Sequence, residues 1–111
     1  VRRDLVDAKN HFGRQFDQFT QNFYVMKASL RYFAVKKKMS FKSSDVSDSF
    51  PVNTPVAGSC LKVLNELDVV NARTESSSPN RYMPRNVDLE KMMKIQEILV
   101  ENREIPGFLA E

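Results

Sequence analysis

At 111 residues, 41% apolar and 28% charged, the chain has the size and composition of one globular domain with a modest core. No apolar run approaches the ~18 residues of a membrane span, the opening Val-Arg-Arg-Asp-Leu has no leader-like apolar region, and the lone Cys60 leaves neither an internal disulfide nor a thiolate metal cluster, so a cytoplasmic protein is expected. The net charge of +3 divides into +6 over residues 1–38, zero over 39–86 and −3 over 87–111, which either presents the N-terminal part to a polyanion or simply solvates helix faces.

The first element is a long helix within residues 4–38. Leu5 and Phe12 are followed by Phe16, Phe19, Phe23, Met26, Leu30 and Phe33, and from Phe12 the steps are 4, 3, 4, 3, 4 and 3. That 3.5-residue period is the seam of helices packed side by side. Gly13 weakens the first turns. A continuous helix from Asp4 to Lys36 would extend roughly 50 Å, beyond the ~30 Å width of a domain this size. Its Phe seam therefore needs cover from the C-terminal helix or from a second subunit, and Phe16, Phe19, Phe23, Met26, Leu30, Ile95 and Leu99 are the expected dimer interface. Lys36-Lys37-Lys38 closes the helix with cations suited to its C-terminal dipole.

Met39-Ser40-Phe41 alternates like a short strand. Ser43 or Ser44 can cap a short helix through Phe50, with Asp45 in its first turn, and Pro51-Val52-Asn53 makes a tight turn. Thr54-Pro55 reads as a capping hydroxyl followed by proline at the first helical position. The helix from Pro55 to about Leu67 should bury Val56, Cys60, Val63, Leu64 and Leu67. Ala57, Ser59, Lys62, Asn65 and Glu66 are left toward solvent or a ligand. Val69–Thr74 and Arg81–Pro84 read as strands around a polar loop, forming a β-hairpin. Asn86 or Asp88 can cap a last helix within 87–105 that carries Leu89, Met92, Met93, Ile95, Ile98, Leu99 and Val100. Residues 106–111 form a tail containing Phe108 and Leu109.

The order helix, short strand, short helix, turn, helix, strand, loop, strand, helix resembles the winged helix-turn-helix superfamily. The likeness rests on Ser43–Leu67 as the helix-turn-helix, on Leu64-Asn65-Glu66-Leu67-Asp68-Val69-Val70 as the exit into the first wing strand, and on Ser78-Pro79-Asn80-Arg81-Tyr82 as the wing tip and return. It covers residues 39–86 and is a pattern of elements without a diagnostic motif, so it speaks to fold more than to function. The fold it implies is mainly α with a small β-hairpin wing. Many members of the superfamily are dimeric transcription regulators that bind double-stranded DNA, and the same is expected here. In that case Pro55–Leu67 would enter the major groove, with Asn53, Thr54, Ser59 and Lys62 near base edges or phosphates. Arg73, Asn80 and Arg81 would meet the backbone or minor groove from the wing. Lys36, Lys37 and Lys38 would add phosphate contacts. The alternative is a winged-helix protein–protein interaction module in a replication or transcription complex, capturing its partner through positions such as Phe33 and Phe108.

Nothing points to catalysis. His11 has no Cys or second His near it in sequence, no base stands at a recognisable spacing from Cys60, and Gly13, Gly58 and Gly107 are isolated rather than grouped in a phosphate-binding loop. The expectation is a non-enzyme without metal or cofactor, with Cys60 acting as a small buried hydrophobe.

Overall fold

A computed structural model describes residues 2–37, 40–71 and 82–105. The long N-terminal helix is broken twice, into α1 (Arg2–Phe12), α2 (Arg14–Gln21) and α3 (Phe23–Val35). They are followed by α4 (Ser43–Ser49), α5 (Thr54–Glu66), a 3-10 turn (Pro84–Asn86) and α6 (Leu89–Glu101). The molecule measures 35 × 28 × 24 Å, so a rod of about 50 Å could not be covered by it.

The breaks have separate causes. Gly13 stands at φ 56°, ψ −108°, a conformation that costs glycine nothing and is strained for any residue with a Cβ. Asn22 leaves helical geometry at φ −113°, ψ 20°, and its side-chain amide joins its own backbone N–H on the Gln18 carbonyl, at 2.9 and 3.1 Å. Because the second break adds no residue to the period, the apolar seam stays in phase across it. Phe16, Phe19, Phe23, Met26, Leu30 and Phe33 are all buried.

α5 is the centre of the fold. It lies against α2 on one side and α4 on the other, while α6 packs on α1 and α3. Phe16 meets Phe19 at a tilt and Phe19 meets Phe23 edge-on, with ring centroids 5.7 and 5.6 Å apart. Phe33 stacks on Phe41 at 4.8 Å, and Phe41 touches Tyr82 at 5.7 Å. Phe16, Phe19, Phe23, Met26, Leu30, Ile95 and Leu99, expected at a subunit boundary, are each at most 2% exposed within the single chain. Their cover is α5 and α6 of the same molecule, so the seam leaves no apolar surface that calls for a second copy.

Among the described residues there is no strand. The sheet is reduced to one antiparallel bridge, in which Phe41 and Tyr82 exchange N–H···O bonds of 2.8 Å in both directions. Val69 and Val70, expected in the first wing strand, are instead buried in a turn. The reason is the end of α5. Asp68 takes φ 61°, and the Val69 N–H bonds the Leu64 carbonyl at 2.9 Å. This is a Schellman closure that folds the apolar pair back into the core. Pro84, expected in the return strand, opens the 3-10 turn. Residues 72–81, which would hold the rest of the wing, lie outside the described residues.

α6 closes in the same manner. Arg103 takes φ 56°, Glu104 N–H bonds the Leu99 carbonyl at 2.8 Å, and Ile105 turns back to be buried. Among the described residues, no helix is long and apolar enough to cross a membrane.

Candidate nucleic-acid interface

α4 and α5, joined by the connection 50–53, pack against each other, and α5 has a capped, exposed start. Asn53 is the cap, with its Oδ1 accepting from the Val56 N–H at 2.9 Å, so Thr54 and Pro55 are the first two helical residues. The cap was expected at Thr54. The Thr54 hydroxyl instead lies 2.7 Å from that of Ser47, tying the two helices together. α4 begins after Lys42, whose N–H donates to the Asp45 carboxylate at 2.9 Å, rather than after a capping serine.

The faces of α5 divide sharply. Ala57, Cys60, Leu61, Val63 and Leu64 are buried, which corrects the placing of Ala57 toward solvent. Asn53, Thr54, Pro55, Lys62, Asn65 and Glu66 are exposed. Ser59 does not belong to this stripe, because it is half-buried and accepts from Gln15 of α2 at 3.5 Å. The exposed stripe thus joins a cap amide, a hydroxyl and one ammonium group, with Glu66 as the opposing charge at the far end.

Lys36 and Lys37 are exposed at the end of α3. Lys36 Nζ lies 5.7 Å from the centre of the Tyr32 ring, a cation–π distance. Tyr32 meets Phe50 edge-on at 5.6 Å, and Phe50 opens the connection to α5. The lysines therefore border this connection. Arg31 is exposed on the same helix and is unmarked by helix-ending or motif signals in the sequence. The signal that points to it is the absence of any Asp or Glu between Asp17 and Asp45. Lys38, Arg73, Asn80 and Arg81 lie outside the described residues. Phe33, expected to be available to a protein partner, is buried between Phe41 and Phe50, and Phe108 lies outside the described residues.

The charge asymmetry of the sequence is partly consumed inside the fold. Arg2 of α1 pairs with Glu101 at 3.1 Å and Lys9 with Glu104 at 2.9 Å. Hydrogen bonding to Glu104 also raises the Lys9 pKa above its usual value. Arg2, Lys9 and Glu104 line an open pocket of about 270 Å³ with Leu5, Val6, Phe16, Ile98 and Leu99. Basic N-terminal and acidic C-terminal segments thus meet each other across this seam.

Cys60 is buried beneath the stripe, 3.7 Å from the Gln18 carbonyl, and desolvation pushes its thiol up to about 12. A thiol in that state is neither a nucleophile nor a ready metal ligand. Among the described residues, no three His, Cys, Asp or Glu side chains are grouped to hold a metal ion. His11 is exposed and stacks on Phe12 at 4.6 Å. No protein-family profile, no curated protein and no solved structure matches this chain.

Proposed function

We propose that this chain is a double-stranded DNA-binding domain of the winged helix-turn-helix type, and that α5 is the helix that enters the major groove. The observation that carries the reading is the polar stripe of α5. A helix clasped by α2 and α4 nonetheless leaves Asn53, Thr54, Lys62 and Asn65 outward, beside a start whose backbone N–H groups favour phosphate. The Phe41–Tyr82 bridge adds support, because it joins the segment before α4 to the segment after the wing position.

In this reading Lys62 neutralises a backbone phosphate. Thr54 and the Asn53 amide nitrogen, left over when its oxygen caps α5, reach phosphate or base edges. Arg73, Asn80 and Arg81, outside the described residues, would add further contacts to the backbone or minor groove. The single chain is the binding unit, since the seam assigned to a partner copy is already filled. A homodimer would have to use another surface. The biological role that follows is transcription regulation by a nucleoid-associated cytoplasmic protein.

The test is titration of a labelled mixed-sequence duplex at several salt concentrations. Binding should weaken as salt rises, and Lys62→Ala should flatten the log–log slope by about 0.9, the contribution of one phosphate contact. Asn53→Ser keeps a capping side chain and should alter sequence preference more than overall affinity. Absence of binding to any duplex at physiological salt would refute the reading.

A further inference from the structure

We propose that the outer face of α3 is a second contact for the DNA backbone, made by Arg31, Lys36 and Lys37 beside the start of α5. This rests on the DNA-binding reading and adds to it where further phosphates of the same duplex are held.

The first observation is one of charge. Between Asp17 and Asp45 the chain carries Lys27, Arg31, Lys36, Lys37, Lys38 and Lys42 and no acid. A mixed surface that only needs solvating intersperses both signs. Among the described cations, Arg2 and Lys9 are neutralised by Glu101 and Glu104 across the α1–α6 seam, and Lys27 donates to Gln96 of α6 at 2.7 Å. Arg31, Lys36 and Lys37 are exposed and form no ion pair among the described residues, as is also true of Arg3, Arg14, Lys62 and Lys94, but only the first three belong to the acid-free segment. On neighbouring α4, Asp45 is turned to the Lys42 amide, and Asp48 is exposed in the last turn. Arg31 in α3 and Lys36 and Lys37 at its end are therefore exposed cations of one acid-free segment.

The second observation is position. Tyr32 and Val35 stand among these cations and are 43% and 78% exposed. Tyr32 is anchored edge-on to Phe50, three residues before the Asn53 cap of α5. The cationic face and the exposed start of α5 are thus joined through one aromatic contact and one short turn. A duplex gripped at α5 would pass its backbone over this end.

Helix-end stabilisation explains only part of the pattern. Lys36 caps α3 and Lys37 follows it, where the C-terminal dipole is felt, but Arg31 lies before the last turn. Arg31 sits four residues before Val35, directed outward. The apolar portion, Tyr32 and Val35, is too small to serve as a membrane-inserting face, which requires a sustained apolar stripe. An extended polyanion matches the cations, and the adjacent α5 start makes that polyanion a DNA backbone.

The full-length chain is titrated with the same labelled duplex across a salt series, comparing wild type, Lys62→Ala, the triple variant Arg31→Ala/Lys36→Ala/Lys37→Ala, and the charge-preserving triple Arg31→Lys/Lys36→Arg/Lys37→Arg. The alanine triple should lower the salt slope by about two to three units at ~0.9 per phosphate and weaken binding to every duplex alike. The charge-preserving triple should keep the wild-type slope, and thermal melting should show all variants folded. If Lys62→Ala loses one contact while the alanine triple keeps the wild-type slope, DNA is held by α5 alone and this proposal fails. If the wild type binds no duplex, both readings fail. Should the alanine triple melt early, Arg31→Gln alone decides, with an unchanged slope again overturning the proposal. Loss of binding to vesicles rich in anionic lipid, with duplex binding intact, would overturn it in favour of a membrane surface.

Discussion

Replacing Phe23 by alanine tests whether the apolar seam belongs to one chain or two. Phe23 is fully buried, begins α3 directly after the break at Asn22, and contacts the Phe19 and Tyr24 rings at 5.6 and 5.7 Å. Truncating such a residue costs about 3–5 kcal/mol through lost transfer energy and the cavity left behind. A domain of this size has only about 5–15 kcal/mol in total, so the loss is a fifth of its stability at the least. With a urea m-value of about 2 kcal/mol per molar, the midpoint should fall by about 2 M. The measurement is urea unfolding followed by circular dichroism at two protein concentrations a hundredfold apart. For an intrachain core the wild-type midpoint is the same at both. If folding required a second copy, mass action would add about 2.7 kcal/mol at the higher concentration and raise the midpoint by about 1 M. A midpoint that climbs with concentration, or a Phe23→Ala cost below about 1 kcal/mol, would refute the intrachain assignment.

The two described glycines should respond oppositely to alanine. Gly13 has open space around a hypothetical Cβ but sits at φ +56°, so Gly13→Ala should destabilise by about 1–3 kcal/mol from backbone strain alone. Gly58 lies inside α5 with Ser43 Cβ at 3.9 Å, an ordinary contact, so Gly58→Ala should stabilise by about 0.5–1 kcal/mol, and chemical denaturation reads both signs. Cys60 should resist an aromatic disulfide reagent in the native state and react only as fast as the protein opens, whereas fast native labelling would contradict its burial. Its thiol is raised in the folded state from 9.0 to about 12, so the unfolded chain releases this proton first. The associated stability is intact below about pH 9 and declines by about 1.4 kcal/mol per unit between there and about 12. Cys60→Ala should flatten that alkaline decline relative to wild type, and identical pH profiles would count against the shift.

Periodicity exposed the core far better than it exposed the path of the chain. The 3.5-residue spacing from Phe16 to Phe33 marks the buried side, because burial depends on angular phase, and phase survives at Asn22. The break itself is only weakly marked in sequence, since asparagine favours helix ends but a single one inside a helical pattern costs only a fraction of a kcal/mol, up to about 0.7. Gly13 was visible as a weak point, but its positive φ is set by how α1 must lie to reach α6. The Val69-Val70 pair has the β-branched composition of a strand and is drawn instead into a helix-ending turn by Asp68, a residue that tolerates φ above zero. The start of α5 was legible to within one residue. Thr54-Pro55 announced it, and Asn53 takes the cap because its side-chain oxygen reaches the Val56 N–H, leaving the Thr54 hydroxyl to Ser47. Of the candidate interface, Lys62 could be placed from helical phase. Ser59 could not, because its turn toward Gln15 depends on α2 lying alongside. Sequence charge alone also could not separate Arg2 and Lys9, neutralised by distant glutamates, from Arg31, Lys36 and Lys37, which are not.

The clasping of α5 between α2 and α4 has a consequence for how the molecule opens. The backbone of a helix held on two sides is released to solvent only when both neighbours leave, and the Phe seam makes the departure of α2 equivalent to dissolving the core. Amide protons in the middle of α5 should therefore exchange with solvent only through whole-molecule unfolding, at the full free energy of the fold. α1 is held differently, by buried Leu5 and Ala8 and by two exposed ion pairs beyond a glycine hinge. Such pairs are weak, so α1 can detach while the rest stays folded. The chain thus combines a rigid centre with an arm that opens at much lower cost, and the arm is also the helix whose cations are neutralised only while it remains docked.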